Sequence, residues 1–323
     1  MWETLKNAWR VQDVRKKLLY TFLMLLLFRL VSVIPVPGID AAQVRDAIKG
    51  FDVLNLVNMM TGNAFSQMTL MAMGITPYIN ASIILQLLTI AIPALERLQK
   101  EGGEEGKRKI NRITRYVTVG LAVLQAVGII SALNNTQRVI ESGYDNFWGF
   151  AMIGIIMAGG TALAMWIGDR ITKNGVGNGI SMLIFAGIIS NLFNGIVQAF
   201  GNVFAGTAGA IVDLIIILVT TLLIITVVTW VDMAERRIPV QYAKRVVGRK
   251  MYGGQSTHIP MKILSVGVLP LIFAYSFMSF PGTIFAMIGQ NSGVYQWWSA
   301  NMNQASWLYM VVCALLIIAF TYF

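Results

Sequence analysis

Long apolar runs separated by short polar stretches dominate the chain. A helix crossing a ~30 Å hydrocarbon core needs about 17–25 apolar residues. Runs of that kind fall at 18–34, 72–95, 114–133, 147–168, 178–199, 210–231, 263–288 and 306–323, and each predicts a membrane span. A further apolar stretch, 51–66, is too short to cross and carries Asn55, Asn58 and Asn63. It predicts a half-helix re-entering from the outer side beside a wet cavity, and its length also suits a helix lying on the outer leaflet. Two polar stretches differ from simple turns. Residues Glu96 to Arg115 mix both charge signs around Gly102-Gly103 and predict a solvated turn, whereas Glu235 to Lys262 is long and strongly basic. Alternation over Arg237–Tyr242 predicts an extended hairpin arm there, with Gly253-Gly254 as a second bend.

Two of the spans open on one phrase. Gly74-Ile75-Thr76-Pro77-Tyr78-Ile79-Asn80-Ala81 and Gly267-Val268-Leu269-Pro270-Leu271-Ile272-Phe273-Ala274 both read G-[IV]-x-P-x-I-x-A. A phrase repeated in corresponding spans marks an internally duplicated transport protein, with the substrate path between the repeats. Gly and Pro interrupt the helix there, which a bilayer tolerates only where protein or a cavity covers the backbone.

Composition agrees: 56% of residues are hydrophobic and 12% charged, with mean hydropathy +0.66. A soluble domain carries about a quarter charged residues. The net charge of +10 is distributed by loop. Lys and Arg number five in 1–17, seven in 96–115, two in 169–173 and seven in 236–262. The intervening loops hold Arg45, Lys49 and Arg138, and Arg29 lies within the first span. This alternation is the positive-inside pattern and predicts a cytoplasmic N-terminus. Positive charge set beside spans fits nucleic-acid binding less well. Trp2, Leu5 and Trp9 share a helical face among Lys6 and Arg10, which predicts an amphipathic segment on the inner leaflet. The first apolar run ends in Ile34-Pro35-Val36-Pro37-Gly38, without a small-x-small cleavage pattern, and predicts a retained span.

Candidate chemistry is sparse. The single cysteine, Cys313, and single histidine, His258, predict no disulfide framework and no metal centre. Asp169, Asp213 and Asp232 sit at span ends, and Arg29 sits near an outer end from which it can snorkel. Ion-coupled transporters use mid-span carboxylates, so their absence from the sequence argues against that class. Mid-span polarity comes instead from Ser82, Gln86, Gln125, Asn191 and Asn194, types that commonly bond across helices. No HExxH, Walker loop or nucleophile elbow occurs, and no cofactor is expected. Gly175-Val176-Gly177-Asn178-Gly179 lacks a preceding strand and predicts a tight turn rather than a phosphate loop.

Five ordered blocks then carry a family resemblance. They are Arg29 followed by Ile34-Pro35-Val36-Pro37-Gly38-Ile39-Asp40; Gly74 to Ile84; Gly177-Asn178-Gly179-Ile180-Ser181; Tyr242-Ala243-Lys244-Arg245; and Gln255-Ser256-Thr257-His258-Ile259-Pro260. Together they resemble the SecY family, channel subunits of the bacterial protein translocase, over nearly the whole chain. The resemblance implies an all-α polytopic channel of two pseudo-symmetric five-span halves. Residues 1–17 would be the cytoplasmic N-terminus, 18–199 the first half, and 200–323 a partial second half bearing the basic arm 233–262. The family's last cytoplasmic loop and final two spans have no counterpart before Phe323, so the chain resembles about the first seven and a half spans. Leu264-Ser265-Val266 stands where the family has an Asn and small residues.

The resemblance also assigns sites. A waist ring would comprise Ile75, Ile79, Ile184 and Ile272, with Ile79 and Ile272 the same letter of the repeated phrase. The plug would include Leu54, Asn55, Val57, Asn58, Met59, Met60, Gly62 and Asn63. A lateral gate between the second, third and seventh spans would use Ser82, Gln86, Gln125 and Ser276, with a small polar contact closing it. Tyr242, Lys244, Arg245, Arg249 and Lys250 would dock partners, although attraction to anionic lipid explains such a charge equally well. Implied partners are SecE, SecG, the SecA ATPase, the ribosome, signal sequences, unfolded polypeptides and membrane lipids, in the bacterial plasma membrane. The function implied is a non-enzymatic channel that passes unfolded secretory proteins and releases apolar segments sideways. A secondary solute transporter and a structural membrane scaffold are the rival classes.

Overall fold

The computed structural model describes residues 9–48, 58–136, 138–206, 209–240, 245–247, 250–252, 257–262, 267, 269–288, 292–302 and 306–322. The helices are α1 (Gln12–Val31), α2 (Ala41–Ile48), α3 (Thr76–Ala91), α4 (Pro93–Lys100), α5 (Gly103–Thr136), α6 (Phe147–Asn174), α7 (Gly179–Phe204) and α8 (Ala210–Asp232). Strands β1 (Glu235–Val240), β2 (Arg245–Val247), β3 (Lys250–Tyr252) and β4 (Thr257–Lys262) follow, then α9 (Leu269–Ile288), α10 (Gly293–Asn301) and α11 (Trp307–Tyr322). Among the described residues, four helices, in α5 to α8, are long and apolar enough to cross a membrane. α3 and α4 together make a fifth candidate, bent by 101°.

That bend corrects the straight span expected over 72–95. Pro93 cannot donate a hydrogen bond and pushes the preceding residue out of the helical region. Ile92 accordingly adopts φ −110°, ψ 109°. The solvated turn expected over Glu96–Arg115 is also corrected, since most of it is helical in α4 and the first turns of α5. At 1.5 Å per residue, the 34 residues of α5 run about 51 Å, well beyond a hydrocarbon core.

Both copies of the repeated phrase fold alike. Gly74 and Gly267 take left-handed φ of +51° and +63°, a region that disfavours side chains. Thr76 and Leu269, the third letters, each begin a helix, and the prolines come second. An early proline suits a helix start because the N–H it lacks would have had no partner.

Clustering of contacts separates two compact units, Met1–Phe193 with Leu271–Phe323, and Asn194–Pro270. In the first, α6 packs on α5 through small residues. A side chain at Gly154 would press to 2.8 Å of Val127 Cγ2, and one at Gly160 would strike the carbonyl of Leu70. Small residues of this kind let backbones approach closely in membranes. One apolar cluster gathers Val44, Phe65, Met68, Ile130, Ile153 and Met157. A second gathers Phe28, Met71, Ile75, Ile79, Ile167 and Leu183, and a third joins Met278 of α9 to Tyr309 and Cys313 of α11. The stretch after residue 63 is tied to the exit of α1 by Val36 N–H to Met68 O (2.9 Å) and Leu70 N–H to Ile34 O (2.8 Å).

The second unit contains α8, whose most apolar window is 0% buried at mean hydropathy 3.0. A helix apolar all round belongs in lipid or against other spans. The unit also contains the basic arm. β1 and β4 pair antiparallel with Ile238 opposite Ile259, and β2 pairs β3 with Arg245 opposite Tyr252. Pro239 and Pro260 fit because each two-stranded ribbon consists only of edge strands. Gly253-Gly254 lies outside the described residues, as do Trp2 and Leu5 of the N-terminal segment.

Candidate functional site

The four isoleucines of the expected waist meet in one apolar cluster. Ile75 caps the start of α3, and Ile79 follows one turn later on the same face. Both are buried; Ile184 from α7 and Ile272 from α9 are partly buried and pack against the same cluster. Ile75, Ile79 and Ile184, with Phe28, Met60 and Thr61, line a cavity of about 10 Å³. That volume is at the lower limit for one water molecule. Ile272 is not among the residues lining it. The isoleucine side chains offer no hydrogen-bonding group, while Thr61 and Thr76 also line the space.

Beside the cavity runs the segment read as the plug. Leu54, Asn55 and Val57 lie outside the described residues. The helix expected over 51–66 is corrected in its described part: only 58–61 is helical, and residues 62–68 are turns. Gly62 (φ +67°) and Asn63 (φ +68°) stop the helix with two left-handed residues. Asn58 then ties the turn together. Its Nδ2 donates to Asn63 Oδ1 (3.1 Å), and its Oδ1 accepts from Ser66 N–H (2.9 Å). Met59 is exposed, while Met60, Gly62 and Asn63 are half-buried.

Three side-chain features around this turn escaped sequence reasoning. Arg29 does not snorkel: its Nη2 donates to the carbonyl of Ala186 on α7 at 2.6 Å. The same guanidinium occupies the space where a Gly62 Cβ would lie, 2.6 Å from both terminal nitrogens. Asn191 Nδ2 donates to the carbonyl of Met59 at 2.7 Å. Gly187, one turn before Asn191, abuts the carbonyl of Met60 so closely that a Cβ would collide with it. The polarity of Asn191 was the one available signal, and no local pattern points to partners so far away in the chain.

The residues expected at the lateral gate lie on α3, α5 and α9. Ser82 on α3 is half-buried, Gln86 is exposed and Gln125 on α5 is buried. No hydrogen bond joins them among the described residues, and Gln125 Oε1 has no partner. Gln86 and Gln125 fail to meet because one side chain faces outward and the other is enclosed. Ser276 on α9 is buried. Near the C-terminal end of α6, Asp169 is neutralised by Arg115 of α5 at 2.5 Å, and Arg170 stacks over Trp166 at 5.3 Å. These charges are paired structural groups rather than free carriers. Of the proposed docking residues, Tyr242, Lys244 and Arg249 lie outside the described residues, while Arg245 and Lys250 begin β2 and β3.

Comparison with known proteins gives this geometry a context. The SecY family pattern matches residues 69–323. The SecY translocase subunit of Corynebacterium glutamicum is 40% identical over 336 residues, covering 98% of this chain and 74% of the relative. That of Bacillus subtilis is 39% identical over 328 residues, covering 100% and 75%. A solved protein-conducting channel superposes with a TM-score of 0.63 at 17% identity, over 94% of this chain and 69% of that one. The canine Sec61 channel, solved in a ribosome-channel complex, gives 0.62 at 16% identity, with the same coverage. At those identities the structures speak for the fold alone, a helical bundle of the kind those channels have. The sequence relationship is closer, and the chain belongs to the SecY family.

Proposed function

We propose that this chain conducts unfolded secretory polypeptides through the isoleucine constriction and lets apolar segments leave sideways between α3, α5 and α9. The translocation channel is the function of the family to which the chain belongs. The observation that carries the finer reading is the gathering of Ile75, Ile79, Ile184 and Ile272 in one apolar cluster beside the 58–66 turn, the first three around a space too small to stay wet. Two pseudo-symmetric halves, 18–199 and 200–323, would then contribute Ile79 and Ile272 from equivalent positions. The chain sits in the bacterial inner membrane with its N-terminus cytoplasmic, as the positive charge of its loops supports. It performs no chemistry of its own. The driving force comes from partners, the SecA motor or a ribosome docking on the arm, and SecE and SecG complete the channel.

The test is contact with a substrate in transit. A photo-crosslinking residue is placed at position 79 or 184 of the assembled channel, and a secretory chain is arrested during passage. Adducts to the arrested polypeptide are expected at both positions. Adducts at Ile216 on α8 with none at 79 or 184 would move the path elsewhere.

A further inference from the structure

Besides the apolar packing of Met60 and the approach of Thr61 to Gly74, the 58–62 turn is met by one short stretch of α7 and one residue of α1. Gly187 and Asn191 are four apart and so share a helix face. Gly187 leaves room for the Met60 carbonyl, and Asn191 donates to the carbonyl one residue earlier. Arg29 binds the Ala186 carbonyl and fills the space above Gly62. A helical carbonyl already accepts from its own helix but has a second lone pair for such a donor.

We propose that Asn191, Gly187 and Arg29 form a latch whose strength sets how firmly the turn closes the pore, and therefore how strong a signal sequence must be to open it. The proposal rests on reading 58–63 as the plug. Each element of the latch is readily reversible. The held atoms are backbone carbonyls, so the grip does not depend on plug side chains. The interlocking surface is a glycine, which provides shape without adhesion. An intramembrane side-chain hydrogen bond typically shifts an equilibrium about threefold, and up to about twentyfold. A latch of that size biases a gate without freezing it.

Two substitutions attack the latch from opposite directions. Asn191→Ala removes the donor. Gly187→Ala keeps the donor and inserts a methyl group where the Met60 carbonyl lies, wedging the turn away. Asn191→Gln retains an amide donor and is expected to fall between the wild type and Asn191→Ala. The reporter is Met60→Cys in the complete, assembled channel in lipid, read by its rate of reaction with a maleimide. Cys313, buried between α9 and α11, reports general loosening in the same sample.

Both alanine variants are expected to speed labelling at position 60 at least about threefold, to leave Cys313 unchanged and to admit weaker signal sequences. Unchanged labelling at position 60 in both variants overturns the latch, as does a parallel rise at Cys313. The underlying plug reading is tested separately, in the reporter that carries Met60→Cys alone. If engaging an arrested secretory chain leaves labelling at position 60 constant, that reading fails whatever Asn191 does. If engagement changes labelling but the latch variants do not, only the latch fails.

Discussion

Single residues at the proposed constriction work by what their side chains lack. Ile75, Ile79 and Ile184 present only methyl and methylene groups to a space of about 10 Å³, so water gains nothing by entering. Polar groups nearby are mostly satisfied: Thr61 Oγ1 donates to Asn58 O and accepts from Phe65 N–H. Asn80 is different. It is 4% exposed, and neither of its amide atoms has a partner. Leaving a buried polar group unpaired costs about 1–3 kcal/mol. Asn80→Leu is therefore expected to raise the thermal unfolding midpoint of the purified channel by a few degrees, and a fall would mean that the amide is satisfied in the working assembly. Legibility at this scale followed chemistry and distance along the chain. Ile79 and Ile272, which share one cluster, could be linked in the sequence because they occupy the same letter of a repeated phrase. The partner of Arg29 could not, because Ala186 offers only a backbone carbonyl 157 positions away.

Elements divide the chain into rigid rods and stops. Of the eight spans expected, those in α5 to α8 were legible because hydrophobic runs of that length have few other uses, and helix α8 matches its expected 210–231 almost to the residue. The stops were harder. Gly62 and Asn63 end the plug helix early, a turn signal that the surrounding apolar residues concealed. Pro93 lies inside an otherwise apolar run, so the composition of 72–95 hid the bend between α3 and α4. The arm was legible from its alternation, because only an extended strand places every second residue on one face.

Two predictions belong to elements. The seam between α3 and α9 should close on a cysteine pair replacing Ser82 and Ser276, and oxidation should then block export while reduction restores it. Normal export through a fully oxidised pair would place the exit elsewhere. Reversing the charges of Arg245, Arg249 and Lys250 in the arm should abolish partner docking and leave membrane insertion intact. Attraction to anionic lipid alone gives about 1 kcal/mol per cation near the surface. Equal losses on reversing any three loop cations would favour that simpler account.

Over the whole molecule, three independent features agree: the alternation of positive loops, the duplicated helix start and the cluster of isoleucines drawn from α3, α7 and α9. The first two were open to sequence alone, because they are patterns in one dimension. The third was named from the family resemblance, and the fold gathers its members, which span residues 75 to 272, into one apolar cluster. On the proposed reading, its composition sets what the channel does at rest. A narrow aliphatic ring passes no ions, yet it can deform around a polypeptide because no bonds must be broken.

Ion conductance of the resting channel in a planar bilayer tests this directly. With Ile79 and Ile272 both replaced by glycine in the complete assembly, the account predicts a clear rise in leak and a relaxed demand for strongly apolar signal sequences. A conductance indistinguishable from that of the wild type, in protein that is inserted and folded, would contradict it.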